Sequence, residues 1–98
     1  MSVVDEIRDE RERQVSAEGW SPRHDDRQSH GEIASAAAAY AIGDPGFWPA
    51  AWPRAYWKPK SRRRDLVRAA ALIVAEIERL DRSDLQAAVE TVKGNCDE

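Results

Sequence analysis

Residues 44–60 constrain the fold of this chain more than any other segment, because they contain four of its five prolines. Proline has no backbone N–H and clashes with the preceding helical turn, so no regular helix can run through the segment. The same segment holds five of the seven aromatic residues, which a disordered linker would lack. We therefore expect residues 43–60 to form a loop that packs against the rest of the protein.

Two helices are predicted before this loop. Residues 3–18 carry only a thin apolar stripe among charged side chains, made of Val4, Ile7 and Val15. Residues 30–42 place an apolar face on one side, made of Ile33, Ala36, Ala37 and Tyr40. Since no segment alternates as a half-buried strand does, the predicted fold is all-α, a small bundle of three to four helices.

The strongest helical pattern follows the loop. Apolar residues recur at helical spacing over residues 62–81, at Leu66, Ala70, Ile73, Ile77 and Leu80. The turn over residues 69–75 is apolar all round, so we expect this helix to be central and contacted on several sides. A further helix is predicted over residues 84–93, ended by Gly94 and followed by a frayed tail at 95–98.

Serines mark the predicted helix starts. A capping serine accepts hydrogen bonds from free backbone N–H groups, and an acid or amide three residues later reaches back. Ser29 with Glu32 and Ser83 with Gln86 fit this capping box. Ser61 is expected to cap the helix that starts at residue 62, without a reciprocal side chain.

The net charge of −3 conceals a segregation of charge along the chain. Residues 54–68 carry +6, whereas residues 1–32 and residues 69–98 carry −4 each. A compact positive block in an acidic protein indicates a local anionic partner. A long nucleic acid is disfavoured as that partner, because both acidic flanks would repel a polyanion.

The positive block combines cations, aromatic rings and a predicted helix start. Helix N-termini favour phosphate, arginine binds phosphate through paired hydrogen bonds, and exposed rings stack on bases. The residues of this candidate ligand site are Trp52, Tyr56, Trp57, Lys58, Lys60, Arg62, Arg63, Arg64 and Arg68. In the alternative interpretation, the tryptophans cover the core while the cations lie in solvent or pair with the acidic first helix.

A second candidate cluster comprises His24, Asp25, Asp26 and Glu32. Such side chains suit a divalent metal or acid–base catalysis, but their spacing matches no standard metal motif. We favour a structural role, in which Asp26 or Ser29 caps the second helix, and we expect no cofactor. His24, Asp25 and Asp26 are also counted with the candidate ligand site.

No enzyme motif in the sequence is complete. The paired E-x-x-E and E-x-x-D motifs of all-α nucleotide pyrophosphohydrolases are represented only by Glu78 and Asp81, and no phosphate-binding loop occurs. A single cysteine, Cys96, favours a reducing cytoplasm. The longest apolar run is far shorter than the roughly 20 residues that span a bilayer. The first residues lack the pattern of a secretion signal, so no membrane partner is expected.

Ordered motifs extend along most of the chain. They are Glu18-Gly19-Trp20, His24-Asp25-Asp26, Gly31-Glu32, Ala-Ala-Ala-Ala-Tyr at 36–40, Trp57-Lys58-Pro59-Lys60, Arg64-Asp65-Leu66-Val67, Ala-Ala-Leu-Ile at 70–73 and Ala-Glu-Ile-Glu-Arg-Leu-Asp at 75–81. Over residues 4–82 this pattern resembles a family of short phage and prophage proteins. The resemblance implies an accessory protein that acts inside a bacterial host cell, where such proteins commonly blunt host defence.

The sequence leaves three alternative functions, of which the first is favoured. The first is a cytoplasmic homo-oligomer that binds and sequesters an anionic, nucleotide-like small molecule. A host immune signal is suggested as that molecule by analogy with other small phage proteins. The second is a metal-dependent nucleotide phosphohydrolase that uses the His24 cluster. The third is an inhibitor that docks onto a host defence protein through its Trp/Arg surface, since these residues are enriched at binding hot spots.

Overall fold

The computed structural model describes the backbone of residues 2–96 and the side chains of residues 2–90. Four α-helices form this part of the chain: α1 (Val3–Ser16), α2 (Pro22–Asp26), α3 (Glu32–Ile42) and α4 (Arg62–Cys96). Two 3-10 turns, Pro45–Phe47 and Arg54–Tyr56, lie between α3 and α4. No strand occurs among the described residues, so the predicted all-α fold is confirmed.

Helix α1 buries polar side chains, which corrects the apolar stripe expected from the sequence. Ser2 and Asp5 form a capping box at its start. Val4 is exposed, whereas Glu10 and Gln14 are each only 1 % exposed. The physical reason is that α4 presents arginines toward α1, and a buried carboxylate is tolerated where it is paired and hydrogen-bonded.

The start of α3 also differs from the prediction. The expected capping box at Ser29 is wrong, because Gly31 begins the helix with a φ of +80° and provides no side-chain cap. The Glu32 carboxylate instead accepts a 2.6 Å hydrogen bond from the backbone N–H of His30. Before α3 lies α2, a single turn capped by Ser21, which is too short for apolar periodicity to reveal.

The core forms where α3 packs against the first half of α4. The predicted apolar face of α3 is confirmed as buried: Ile33, Ala36, Ala37 and Tyr40, together with Ala39. Helix α4 adds Ala69, Leu72 and Ala75, and the aromatic rings of Trp20 and Trp48 complete the cluster. Alanine on both helices lets their backbones approach closely, because its side chain is a single methyl group.

The proline-rich segment packs as predicted. Trp48 is buried, and Trp52 and Trp57 are partly buried against the core. The hydroxyl of Tyr40 donates to the carbonyl of Tyr56 and accepts from the N–H of Lys58, both at 3.0 Å. This pair of hydrogen bonds ties the loop to α3 just before the chain enters α4.

Helix α4 is one continuous helix, so the predicted boundary at residue 83 is wrong. Serine and aspartate at 83 and 84 only weakly disfavour helix, and good helix formers surround them. The predicted end at Gly94 is also wrong, because the helix runs to Cys96. Of the predicted frayed tail, residues 97–98 lie outside the described residues.

The faces of α4 are reversed relative to the prediction. The expected core stripe is largely exposed: Leu66 43 %, Ile73 49 %, Ile77 53 % and Leu80 46 %. The buried residues of α4 are instead Asp65, Val67, Arg68, Ala69, Ala71, Leu72 and Ala75. Asp65 and Arg68 are tolerated inside because each forms a hydrogen bond with a backbone group of the preceding loop. A row of large apolar side chains on the opposite face is left in solvent.

The molecule is elongated because α4 extends beyond the other helices of the bundle. Its 35 residues span about 52 Å at the rise of an α-helix. The radius of gyration is 15.6 Å, against about 13 Å expected for a compact domain of this length. Among the described residues, no helix is long and apolar enough to cross a membrane.

Candidate functional site

The predicted cations meet the acidic residues of α1. Arg63 forms two hydrogen bonds of 2.7 and 2.8 Å with the carboxylate of Glu6. The next residue of α4, Arg64, pairs with Glu10, which lies one turn beyond Glu6 on α1. These contacts agree with the alternative interpretation of the sequence, in which the positive block pairs with the acidic first helix.

Glu18 joins the end of α1 to the loop. Its carboxylate lies 3.1 Å from an Arg13 nitrogen and 3.4 Å from the Lys58 ammonium, and its side chain is 10 % exposed. Arg13 also pairs with Glu10 at 2.8 Å. The chain of alternating charges therefore runs from Arg64 through Glu10, Arg13 and Glu18 to Lys58.

The pKa values of the two inner carboxyl groups follow from this arrangement. Burial alone would raise the pKa of Glu10, but Arg13 and Arg64 outweigh it and hold the pKa below its ordinary value. Burial alone would also raise the pKa of Glu18, but Arg13 and Lys58 outweigh it and hold the pKa below its ordinary value. Both carboxyl groups are thus ionised at neutral pH. They already pair with cations of the predicted ligand site, Arg64 and Lys58.

Arg68 is held inside the protein. It is 8 % exposed, donates to the backbone carbonyl of Lys58, and lies 5.6 Å from the centre of the Tyr40 ring. Its burial explains why the start of α4 has a polar inner face. Nearby, Asp65 is buried because it accepts a 2.7 Å hydrogen bond from the N–H of Lys60.

The remaining predicted ligand residues lie apart from this chain of charges. Trp52 donates a 2.8 Å hydrogen bond to the Gln28 side chain, and Trp57 packs on Tyr40 with ring centres 4.7 Å apart. Arg62 donates to the backbone carbonyl of Ala41 at the end of α3. The side chain of Lys60 is exposed and makes no hydrogen bond or ion pair with any described residue.

A small cleft, here called the Lys58 cleft, lies beside these charges. Its volume is about 10 Å³. It is lined by Glu10, Arg13, Gln14, Glu18, Trp20, Tyr40, Tyr56, Lys58 and Arg68. The cleft thus brings together three of the predicted ligand residues, Tyr56, Lys58 and Arg68. Its volume is that of a single water molecule, so a larger ligand requires a side chain to move.

Two residues that line the Lys58 cleft carry buried polar atoms without a partner. They are Oε1 of Gln14, an acceptor, and Nε of Arg68, a donor. Every other buried polar side-chain atom of the described residues has a hydrogen-bond partner. Buried polar groups are nearly always hydrogen-bonded, because an unpaired one costs about 1–3 kcal/mol. The cleft is therefore suited to a ligand, or a water molecule, that both donates and accepts.

The His24 cluster does not assemble as a metal site. Asp25 is buried and pairs with Arg11 at 2.8 Å, while its neighbour Asp26 pairs with Arg82 on α4 at 2.8 Å. Neither Asp26 nor Ser29 caps α3, which corrects that expectation. No group of three or more histidine, cysteine, aspartate or glutamate side chains that could hold a metal is found among the described residues.

Sequence reasoning missed several residues of the Lys58 cleft. Glu10, Gln14 and Glu18 lie at intervals of four on or just after α1, so a polar stripe at helical spacing was the available signal. Apolar periodicity ignores such a stripe. Trp20 and Tyr40 were assigned to no site because large aromatic residues are usually core.

A second concavity lies between α2 and the projecting half of α4. This open groove has a volume of about 690 Å³, and Asp26 is the only predicted site residue that lines it. Arg79 lies here as well and forms an ion pair with Glu76, and both side chains are partly buried.

Comparison of the chain with protein-family models, with curated proteins and with solved structures found no match.

Proposed function

We propose that this protein is a phage-type accessory protein that binds an anionic, nucleotide-like small molecule at the Lys58 cleft and so sequesters it. The observation that carries the proposal is that Gln14 and Arg68, whose buried polar atoms lack partners, line the same cleft as Lys58 and Tyr56. A phosphate offers acceptors to the Arg68 nitrogen, and a base edge with an N–H group offers the donor that the Gln14 oxygen requires.

Glu18 explains why the ligand should be an anion. Its carboxylate lies between Arg13 and Lys58, where it acts as an internal substitute for an external anion. A phosphate that enters takes over these two cations and displaces Glu18. Gly19, with a φ of +75°, follows Glu18 directly and lies in a conformation that favours glycine, so the displacement occurs at a natural bend in the backbone.

The test is calorimetry against a panel of cyclic and linear nucleotides and inorganic phosphate. Lys58→Ala should weaken binding about tenfold or more, because a hydrogen bond to a charged group contributes about 1.5–3 kcal/mol. Glu18→Gln should tighten binding by up to about fivefold, because it removes a competing, partly exposed ion pair. Lys60→Ala is the matched control: the same charge is lost from the same loop, outside the cleft.

Two results would remove the proposal. One is the absence of heat with the whole panel, for both the wild-type protein and Glu18→Gln, which would leave the cleft as a cavity for structural water. The other is equal weakening by Lys58→Ala and Lys60→Ala, which would indicate general attraction of anions to a positive surface rather than binding in the cleft.

A second candidate, an inhibitor that docks onto a host protein, is supported by one observation. Arg54, Tyr56 and Lys60 are exposed around the loop, and the charged groups of Arg54 and Lys60 have no hydrogen bond or ion pair with the described residues. Trp57→Ala is a poor test of this function, because Trp57 packs on Tyr40 and its loss would disturb the fold. Arg54→Ala with Lys60→Ala should instead abolish docking while leaving the circular dichroism spectrum unchanged.

A further inference from the structure

One face of α4 is apolar, exposed and uncovered by the described residues. It consists of Leu66, Ile73, Ile77 and Leu80, which are 43–53 % exposed, with the partly buried Ala70 among them. At 3.6 residues per turn, Ile73 and Ile77 lie about 160° on either side of the buried Ala75. The face therefore points directly away from the bundle.

The spacing along this face is that of a helix–helix seam. Residues 66, 70, 73, 77 and 80 alternate in steps of four and three, which is the pattern of the apolar positions in a coiled coil. Scattered apolar residues on a surface need no explanation, but a continuous row at this spacing is typical of a surface that another helix covers.

The charges at the two ends of the face identify what covers it. Arg62 and Arg63 precede Leu66, and Asp81 and Asp84 follow Leu80. The side chains of the two aspartates make no hydrogen bond or ion pair with the described residues. Arg62 donates to the backbone carbonyl of Ala41, and Arg63 pairs with Glu6. Both contacts lie at the surface, so another carboxylate can still reach these arginines.

We propose that a second copy of this chain packs antiparallel along α4, centred near Ile73. This arrangement sets the arginine end of each helix against the aspartate end of its partner, and it also opposes the two helix dipoles favourably. A parallel pair would set arginine against arginine and aspartate against aspartate. The charges thus distinguish the two orientations, whereas the apolar row alone fits both.

The short length of the helix–helix interface indicates a weak association. The segment from residue 62 to residue 84 is about 33 Å long at 1.5 Å per residue. A single helix pair of this length lies toward the small end of specific interfaces, so the dimer should be weak, with a dissociation constant on the order of micromolar.

Sedimentation equilibrium between roughly 0.1 and 30 μM, a range that brackets a micromolar dissociation constant, tests the proposal. The mass should rise from 11.0 kDa toward twice that value. Ile77→Glu should keep the protein monomeric throughout, because a carboxylate would be buried in the seam. Leu85→Glu is the matched control: it introduces the same change at a 66 % exposed position off the seam and should leave association intact.

Cross-linking tests the orientation without a charge in the seam. In a Cys96→Ser background, Leu66→Cys mixed with Leu80→Cys should form a disulfide-linked dimer under mild oxidation, whereas Leu66→Cys alone should not. A monomeric mass at every concentration would overturn the dimer, as would equal loss of association in Ile77→Glu and Leu85→Glu. Cross-linking of Leu66→Cys to itself would overturn the antiparallel arrangement.

Discussion

At the scale of single residues, Glu10 organises the contact between α1 and α4. It is almost fully buried, yet it is satisfied by Arg13, by Arg64 and by the side-chain amide of Gln14. The sequence indicated the partners only as classes, an acidic helix and a basic block. Which acid meets which base depends on the relative position of two helices separated by more than forty residues, and local patterns do not specify that position.

Glu10→Gln should destabilise the protein by about 2 kcal/mol. Breaking a fully buried ion pair costs about 3–5 kcal/mol, but Arg13 and Arg64 are each about a third exposed and can be partly rehydrated. The measurement is urea unfolding followed by circular dichroism. Glu12→Gln, a change at an exposed residue of the same helix, should have almost no effect; equal effects of the two variants would contradict the role of Glu10.

The pH dependence of stability follows from the same carboxyl groups. The folded protein lowers the pKa of Glu10 and Glu18 from the ordinary value of 4.5, so the unfolded chain takes up their protons first as pH falls. Their contribution is complete well above pH 4.5 and is lost as pH falls through and below that value. Thermal melts from pH 7 to pH 3 should show this loss, and Glu18→Gln should make it smaller.

At the scale of the elements, apolar periodicity predicted the start of α4 correctly but its buried face wrongly. The pattern correctly predicted a long helix after residue 61, and Ser61 caps it through a 3.2 Å hydrogen bond from the N–H of Arg64. The pattern indicated the wrong buried face, because Asp65 and Arg68 are held inside by hydrogen bonds to the preceding loop, which apolar periodicity does not register. The packing of the proline-rich loop was predictable from its aromatic residues alone.

Ser83→Ala distinguishes a continuous α4 from two helices. Within a helix, alanine is favoured over serine, so the change should stabilise the protein by about 0.5 kcal/mol or less. If Ser83 capped a separate helix, the same change would cost about 1 kcal/mol. Denaturant unfolding gives the sign, and Ser61→Ala, which removes a real cap, should show the destabilisation that Ser83→Ala lacks.

At the scale of the whole molecule, a small core depends on a few large side chains. Most buried apolar residues on α3 and on the facing side of α4 are alanines, so Trp20 and Trp48 supply much of the apolar volume. A chain of this size has about 5–15 kcal/mol of stability in total. The loss of one tryptophan therefore removes a large share of it.

Trp48→Ala should cost about 3–5 kcal/mol, the usual effect of removing a large buried side chain. Thermal unfolding should show a much lower midpoint or no cooperative transition. Leu85→Ala, at an exposed position, should leave the midpoint unchanged. An unchanged midpoint for Trp48→Ala would mean that the loop does not contribute to the core.

The four tryptophans also form an unbroken series of ring contacts. Trp20 lies 5.7 Å from Trp52, Trp52 lies 5.4 Å from Trp48, and Trp48 lies 5.6 Å from Trp57, all between ring centres. Indoles at such separations couple their electronic transitions. The native protein should thus show strong near-ultraviolet circular dichroism couplets and depolarised fluorescence from energy migration, and both signals vanish when the loop leaves the core. The chain carries its own optical reporter of the folded state, with no added label.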